Sequence, residues 1–266
     1  MMSENTIICV SWGDKYDREY VKKLKEQCEN NCSVPFNFYC ITDKPKLGSR
    51  YDITMPVYWN KHFLPERNFF WAYRKYYSFS IDNPRSHKVK SVAKDLARNS
   101  LDRIKGDKFL LLDLDVVIHQ DLKYFFDLPM EKPWIVKGYW NNMNNSKKNY
   151  AKLKSTPLNS SVIRWDRGQL SKVWEEMYDN IDMIMFTYPS ADNYFVHRWY
   201  DLWNEEESFF NVFPEGDIYS YYKGNIFPTD MEKLKYRPDH KICLFNNSGQ
   251  EEGDNDDEMK EHWYGW

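Results

Sequence analysis

The hydrophobic spacing of the first part of the chain changes twice. Residues 6–11 form a short apolar run, and residues 35–41 alternate between apolar and polar positions before Thr42. Between them, apolar side chains recur three or four positions apart from Tyr16 to Cys28, which is the spacing of one helix face. Short runs of the first two kinds are typical of strands. The order strand, helix, strand predicts a parallel βαβ unit and therefore an α/β fold.

The rest of the chain continues to alternate between helical and strand-like spacing. The helical pattern predicts further helices over 66–81, 86–105, 167–180 and 191–203. Apolar or alternating runs predict further strands over 109–118, 134–138, 158–165, 209–213 and 241–245. Asp166 precedes the helix over 167–180 and is its predicted N-cap. Because the chain has no repeat and no Pro/Gly-rich linker, we expect one domain over 1–247, followed by an acidic and aromatic extension over 248–266.

Charge and hydropathy exclude several classes of protein. The net charge of −3 is too balanced for a protein whose main task is to bind nucleic acid or to coat an anionic membrane. No apolar run approaches the ~18 residues of a membrane span, and the opening MMSENTIICV lacks the features of a signal peptide. We therefore expect a soluble cytoplasmic protein with no transmembrane segment and no nucleic-acid partner. The five scattered cysteines are expected to be reduced.

The aromatic content is the unusual feature of the composition. Aromatic residues make up 18% of the chain, and their rings bury large areas or stack on flat ligands such as bases and sugars. Most of them are expected in the core, but the content also fits a protein that handles carbohydrates or nucleotides. The abundance of Lys, Asn and Tyr is typical of an AT-rich genome, such as that of a virus or phage.

Asp113 and Asp115 are the strongest chemical signal in the sequence. They lie at alternate positions of an otherwise apolar extended segment, so their side chains point to the same side. Two carboxylates this close repel each other, and a divalent cation such as Mg²⁺ or Mn²⁺ removes the conflict. In open α/β sheets, ligands bind beyond the carboxyl ends of the strands. The pair therefore predicts a metal site there, and the alternative is a polar strand end with both carboxylates solvated.

Several segments share an order that is typical of one enzyme family. They are ICVSWGDKY at 8–16, CITD at 40–43, FLLLDLDVVI at 109–118, LNSSVIRWDRG at 158–168 and ADNYF at 191–195. In this order and spacing the chain resembles a GT-A glycosyltransferase of the glycogenin-like branch, together with related small bacterial and phage enzymes, over about residues 6–246. The resemblance implies a Rossmann-like α/β fold with a mixed, mostly parallel sheet flanked by helices. It also implies metal-dependent transfer of a sugar from a nucleotide-diphospho-sugar, with a UDP-sugar favoured, to a hydroxyl of a glycan, lipid or protein.

The resemblance assigns roles to individual residues. Those of the donor site are Ser11, Trp12, Gly13, Tyr16 and Asp43 at the nucleotide base, Lys75 and Asp113 at the diphosphate, and Asn159 at the sugar. Asp113 and Asp115 would hold the Mn²⁺ or Mg²⁺ that bridges the diphosphate. Asp192 and Asn193 would act at the transferred sugar, and Asn193 stands where the family usually has Gln.

The sequence departs from the family near its end. In the family, a late strand ends in a His that is the third metal ligand, and a Lys-Pro-Trp that grips the diphosphate follows. Here Asn246 takes the position of that His, and 250–252 take the position of the Lys-Pro-Trp. The carbonyl oxygen of Asn246 is a weaker ligand for Mn²⁺ than imidazole is, so we expect weaker binding of metal and donor.

Some assignments stay open at the level of sequence. Asp192 fits a general base, a sugar ligand or a helix N-cap, and Asp43 fits a turn residue as well as a base ligand. The Asp113 and Asp115 pair also fits a haloacid-dehalogenase-like phosphatase, in which the first Asp attacks phosphate and the second is the acid/base. A third interpretation is a protein that binds nucleotide-sugars without catalysing transfer.

Overall fold

The computed structural model describes residues 4–46, 49–55, 68–82, 101–139, 156–188, 190–201, 204–220 and 240–245. The strands are β1 Asn5–Ser11, β2 Phe36–Thr42, β3 Asp52–Thr54, β4 Lys108–Leu112, β5 Val116–Ile118, β6 Trp134–Lys137, β7 Leu158–Asp166, β8 Asn211–Val212, β9 Ile218–Ser220 and β10 Ile242–Leu244. The α-helices are α1 Arg18–Asn30, α2 Lys123–Phe126, α3 Ser171–Thr187 and α4 Ala191–Trp199. Three 3₁₀ segments span Asn68–Asp82, Leu101–Arg103 and Glu205–Glu207.

A mixed sheet of seven strands forms the centre of the molecule, in the order β3-β2-β1-β4-β7-β6-β8. Strands β3, β2, β1 and β4 are parallel neighbours, while β7 runs antiparallel to both β4 and β6. The predicted βαβ unit is present as β1, α1 and β2. The sheet confirms the predicted fold class, a mixed and mostly parallel α/β sheet flanked by helices.

The two faces of the sheet carry separate apolar layers because successive side chains of a strand point to opposite faces. Ile7 and Cys9 of β1 pack with α1, α2 and the strands β5, β9 and β10, whereas Ile8 and Val10 pack on the other face. That second layer contains the buried tyrosines of Asn68–Asp82 together with α3 and α4. The 3₁₀ segment is thereby held against the sheet.

The sequence predicts one strand over the apolar run 109–118. The structure instead divides this run into two strands that belong to different sheets. Strand β4 ends at Leu112, and β5 begins a three-stranded sheet of order β5-β10-β9. The backbone N–H of Asp113 still donates to the carbonyl of Ser161 in β7, at 2.9 Å, whereas the carbonyl of Asp115 already accepts from the N–H of Phe245, just after β10, at 2.8 Å. The two acidic residues therefore mark the point where the chain passes from one sheet to the other.

Several predicted boundaries are corrected. Asp166 is the last residue of β7 and does not cap a helix, because the chain first turns through Gly168 (φ +91°) and α3 begins at Ser171, with Leu170 at its N-cap position. Helix α3 extends to Thr187 and α4 ends at Trp199. The described part of the helix predicted over 66–81 is 3₁₀ rather than α-helical and spans Asn68–Asp82. Strands β8 and β10 are shorter than predicted.

Some expectations fall on other parts of the chain. Most of the predicted helix over 86–105, Asn246 and the extension over 248–266 lie outside the described residues. The five cysteines carry free thiols, as expected. Among the described helices, none combines the length and the apolar character needed to cross a lipid bilayer.

Candidate active site

Lys75 and Asp113 form an ion pair where β4 ends. Lys75 lies in the 3₁₀ segment Asn68–Asp82, and its Nζ donates to both carboxylate oxygens of Asp113, at 3.1 and 3.0 Å, and to the Ser160 carbonyl, at 2.9 Å. The Lys75 side chain is buried, with 5% of its surface exposed. An ammonium group removed from water needs such anionic and carbonyl partners to remain charged. Lys75, which is expected at the diphosphate, therefore pairs directly with Asp113, which is expected at the metal.

Asp115 is the second carboxylate at this strand end. The Tyr16 hydroxyl donates to its Oδ2 at 2.8 Å, and this contact joins the loop after β1 to the crossover between the two sheets. Burial, and next the negative charge of Asp113, raise the pKa of Asp115 to about 6 from an ordinary value of 3.8. The hydrogen bond from Tyr16 and the charge of Lys15 act in the opposite direction. Burial therefore makes the charged form of Asp115 costly, and the neighbouring charge of Asp113 adds to that cost.

The two carboxylates fit a divalent cation in chemistry. Their oxygens are hard ligands, and a bound cation would offset both the burial and the repulsion from Asp113 that raise the pKa of Asp115. Within the described ranges, no three or more His, Cys, Asp or Glu side chains are arranged to hold a metal ion. The described residues thus provide two carboxylates that could hold a cation, and Asn246, the third ligand implied by the resemblance, lies outside the described residues.

Asp192 is brought to the same edge of the sheet by Ser160. Its Oδ1 accepts hydrogen bonds from the Ser160 backbone N–H at 3.1 Å and from the Ser160 hydroxyl at 2.5 Å. Burial is the largest effect on this carboxyl group and raises its pKa, while Lys75 and the Ser160 hydroxyl lower it in part. Ser160 therefore connects Asp192 to Lys75, and it was not predicted as a site residue.

The structure decides one of the open alternatives for Asp192. The N-cap of α4 is Ser190, whose hydroxyl accepts from the Asn193 backbone N–H at 3.2 Å and donates to the Asn193 side-chain oxygen at 2.6 Å. Asp192 is therefore not the cap, and its carboxylate points to Ser160 instead. Asn193 is buried, and its side-chain oxygen takes part in the capping of α4.

The loop after β1 contacts Asp43, the residue that follows β2. The backbone N–H of Gly13 lies 3.1 and 3.2 Å from the two carboxylate oxygens of Asp43. Gly13 has a φ of +62°, a left-handed conformation that favours glycine. Ser11 is buried at the end of β1, and Trp12 packs against the core. The indole N–H of Trp12 is buried and lacks a hydrogen-bond partner among the described residues.

Asn159 lies one residue before Ser160, near the start of β7. Its side-chain oxygen accepts from the Ser161 backbone N–H at 2.9 Å, which fixes the side chain at the strand end. Because β7 is antiparallel to β1 and β4, its start lies at the same edge of the sheet as Ser11 and Asp113. Of the residues singled out by the sequence, those that the structure describes thus lie at one edge of the sheet, and Asn246 is not among the described residues.

Two residues of this network were not predicted as site residues. Ser160 follows Asn159 in a strand that is apolar on both sides, and Tyr76 belongs to a run of aromatic residues that reads as core. The Tyr76 hydroxyl donates to the Ser160 hydroxyl at 2.7 Å. The sequence marks Ser160 only as a serine between two acidic motifs, and many serines with a purely structural role share that feature.

Comparisons with known proteins agree with this architecture. No protein-family model matches the chain, and no curated protein is similar to it in sequence. Solved structures do match. Galactosyltransferase LgtC, in complex with donor and acceptor sugar analogs, superposes with a TM-score of 0.58 at 10% identity, covering 97% of this chain and 95% of that chain.

Two larger proteins also contain this fold. The glycosyltransferase GlyE of Streptococcus pneumoniae TIGR4 matches with a TM-score of 0.53 at 8% identity, over 98% of this chain and 61% of that chain. The bifunctional glycosyltransferase WbbM matches with a TM-score of 0.52 at 12% identity, over 99% of this chain and 50% of that chain. At these identities the similarity is one of architecture: the chain has the GT-A fold of glycosyltransferases.

Proposed function

We propose that this protein is a glycosyltransferase that moves a sugar from a nucleotide-diphospho-sugar, with a UDP-sugar favoured, to an acceptor hydroxyl. One observation carries the proposal. In a GT-A fold, Lys75, Asp113 and Asp192 come from three distant segments and meet around Ser160 at the carboxyl edge of the sheet. Ligands of open α/β sheets bind at this edge.

The chemistry of the transfer explains why a buried cation is useful there. Transfer breaks the bond between the anomeric carbon and the diphosphate, and the diphosphate gains negative charge as the bond breaks. A positioned ammonium group stabilises that charge more in the transition state than in the ground state. We assign this role to Lys75, which the contacts with Asp113 and Ser160 hold in place.

Asp113 and Asp115 would hold Mn²⁺ or Mg²⁺ in this proposal, with Asn246 as a further ligand. When bound, the ion supplies a second positive charge for the diphosphate. The pKa of Asp115, raised to about 6 by burial and by Asp113, supports a cation at this place. The base of the donor would lie against the loop from Ser11 to Tyr16, beside Asp43.

Asp192 and Asn159 would contact the transferred sugar. Asp192 suits this task because only its Oδ1 is engaged by Ser160. A carboxylate with a raised pKa is also suited to accept a proton from the acceptor hydroxyl. The acceptor would be a hydroxyl of a glycan, a lipid or a protein.

A nucleotide panel tests this function. Thermal unfolding is measured with UDP, GDP, CDP and their sugars, with and without Mn²⁺, for the wild type, Asp115→Ala and the control Asp127→Ala, which alters an exposed carboxylate paired with Lys123. We expect a uridine-specific, Mn²⁺-dependent shift that disappears in Asp115→Ala and persists in Asp127→Ala. UDP-galactose is included because a similar structure is a galactosyltransferase.

Assays of UDP release and of phosphate-ester hydrolysis accompany the panel, and three results would contradict the proposal in distinct ways. A shift with nucleotide but no release of UDP from any sugar donor, with or without Mn²⁺, would favour a non-catalytic binding protein. Hydrolysis of a generic phosphate ester, with trapping of a phosphorylated Asp113, would favour the phosphatase alternative. No shift with any nucleotide would contradict nucleotide binding as a whole.

A further inference from the structure

A chain of hydroxyl groups leads from the core to Asp192. The Tyr76 hydroxyl donates to Ser160 Oγ at 2.7 Å, and Ser160 Oγ donates to Asp192 Oδ1 at 2.5 Å. A serine hydroxyl has one proton and two lone pairs. Because Ser160 gives its proton to the carboxylate, it can only accept from Tyr76, so the direction of the chain is determined.

Tyr76 is held in one orientation by its surroundings. It is fully buried, and its ring packs edge-on against Phe195, with ring centroids 4.9 Å apart, and against Phe79 at 5.2 Å. Phe195 lies on α4, the helix that also carries Asp192. The same ring therefore packs against the helix of Asp192 while its hydroxyl sets the direction of the Ser160 hydroxyl.

Ser160 uses all of its polar groups in this network. Its N–H and its hydroxyl both bind Asp192 Oδ1, and its carbonyl accepts from Lys75. Two hydrogen bonds to one oxygen fix the plane of a carboxylate and leave the other oxygen for a ligand. One residue thus orients both the acid and the cation of the site.

We propose that Ser160 and Tyr76 are positioning residues of the transfer reaction: Ser160 orients the Asp192 carboxylate toward the sugar, and Tyr76 acts through Ser160 by fixing its hydroxyl. The inference rests on the proposed function. It goes beyond that function by assigning a role to residues that do not touch the substrate. The other titratable groups that act on Asp192 are Lys75, Asp113 and the phenol of Tyr73.

A double-mutant cycle tests the relay. The variants Ser160→Ala, Tyr76→Phe and the double variant are compared by their kcat and donor KM for UDP release from the best donor among UDP-galactose, UDP-glucose and UDP-N-acetylglucosamine. The controls are Ser80→Ala and Tyr77→Phe, which remove the same groups from buried residues of the same 3₁₀ segment. Thermal unfolding verifies that each variant is folded.

We expect kcat to fall about 10–100-fold in Ser160→Ala, because a hydrogen bond to a charged group is lost, with donor KM changed less than about threefold. Tyr76→Phe should lower kcat about three- to tenfold, since Ser160 keeps its hydroxyl but loses its fixed direction. If Tyr76 acts only through Ser160, the double variant should equal Ser160→Ala. The two controls should keep the kcat of the wild type.

Three results would overturn the inference. They are a Ser160→Ala variant with the kcat of Ser80→Ala, effects of Ser160→Ala and Tyr76→Phe that multiply in the double variant, and a loss that appears in KM rather than kcat. A wild type that releases no UDP overturns the proposed function first, and this inference with it. If Ser160→Ala does not fold, the kcat of Tyr76→Phe is compared with the kcat of Tyr77→Phe, and equal values would overturn the inference.

Discussion

Strand β7 has a buried cation at each end, and the two cations have different surroundings. Near its last residue, the fully buried Arg164 donates to the Phe125 carbonyl at 3.1 Å, to the Trp165 carbonyl and to Asp166 at 2.7 Å. Near its first residues, Lys75 binds Asp113 and the carbonyl of Ser160. Both cations are satisfied by hydrogen bonds, as buried ions must be.

The difference between the two ends is the balance of charge. Arg164 has one acidic partner, Asp166, which is partly exposed. Lys75 has Asp113 as its direct partner and lies close enough to Asp192 to lower the pKa of that carboxyl group in part, and burial, followed by the charge of Asp113, raises the pKa of Asp115. One end of the strand is therefore a closed structural ion pair. The other end holds buried carboxyl groups with raised pKa values, which are typical of a site that binds a further cation or titrates.

The largest expected effect is on catalysis at the Lys75 end. Lys75→Met removes the ammonium group while keeping an apolar chain of similar length. We expect kcat for UDP release to fall about 10²–10³-fold, the loss typical of removing one positioned charge from a transition state. Steady-state kinetics check this, with the exposed Lys172→Met as the control. A Lys75→Met variant with the kcat of Lys172→Met would remove the distinction between the two ends.

The next effect is on stability at the Arg164 end. Arg164→Met leaves two carbonyls and Asp166 without their donor, so we expect a loss of about 3 kcal/mol in the free energy of unfolding. Urea titration measures this loss. The kcat of the folded fraction should stay within about twofold of the wild type. A fall in kcat without a fall in stability would mean that Arg164 belongs to the active site.

The smallest effect is a gain of stability from Asp192→Asn. Burial raises the pKa of Asp192, so the native state favours its protonated form, and this contribution to stability is lost as pH rises from about 4 through the raised pKa. Asn keeps an oxygen that accepts from Ser160 but has no charge. We expect Asp192→Asn to be more stable than the wild type at pH 7 and less sensitive to pH above 4, and to have lost activity.

Urea titrations between pH 4 and pH 8 check this last prediction. Asp166→Asn, at the other end of β7, is the matched control, because its carboxylate pairs with Arg164. That variant is expected to be less stable than the wild type at pH 7. Equal pH dependence in the wild type and Asp192→Asn would contradict the raised pKa of Asp192 at the Lys75 end.

Much of the fold follows from local patterns in the sequence. The spacing around β1, α1 and β2 predicts the βαβ unit because burial of one helix face and of a short strand leaves a periodic trace in neighbouring residues. The position of Asp113 and Asp115 at a strand end follows from the same pattern. The N-cap predicted at Asp166 is wrong, because a turn through Gly168 delays the helix and Asp166 pairs with Arg164 instead.

The contacts of the candidate site leave no periodic pattern in the sequence. Lys75 meets Asp113 across 38 positions and Ser160 across 85, and Ser160 meets Asp192 across 32. No periodicity links residues at such distances. Ser160 and Tyr76 look in the sequence like an ordinary strand serine and an ordinary core tyrosine, so their part in the network becomes visible only when the sheet is assembled.

The sequence by itself determined the class of fold, the alternation of strands and helices and the acidic pair within the apolar run over 109–118, because each depends on residues that are close along the chain. The tertiary structure alone decided that Lys75 binds Asp113, that Asp192 binds Ser160 rather than capping α4, and that the apolar run over 109–118 divides between two sheets. These features depend on which distant segments are buried together, and burial sets both the partners and the pKa values of their charged groups.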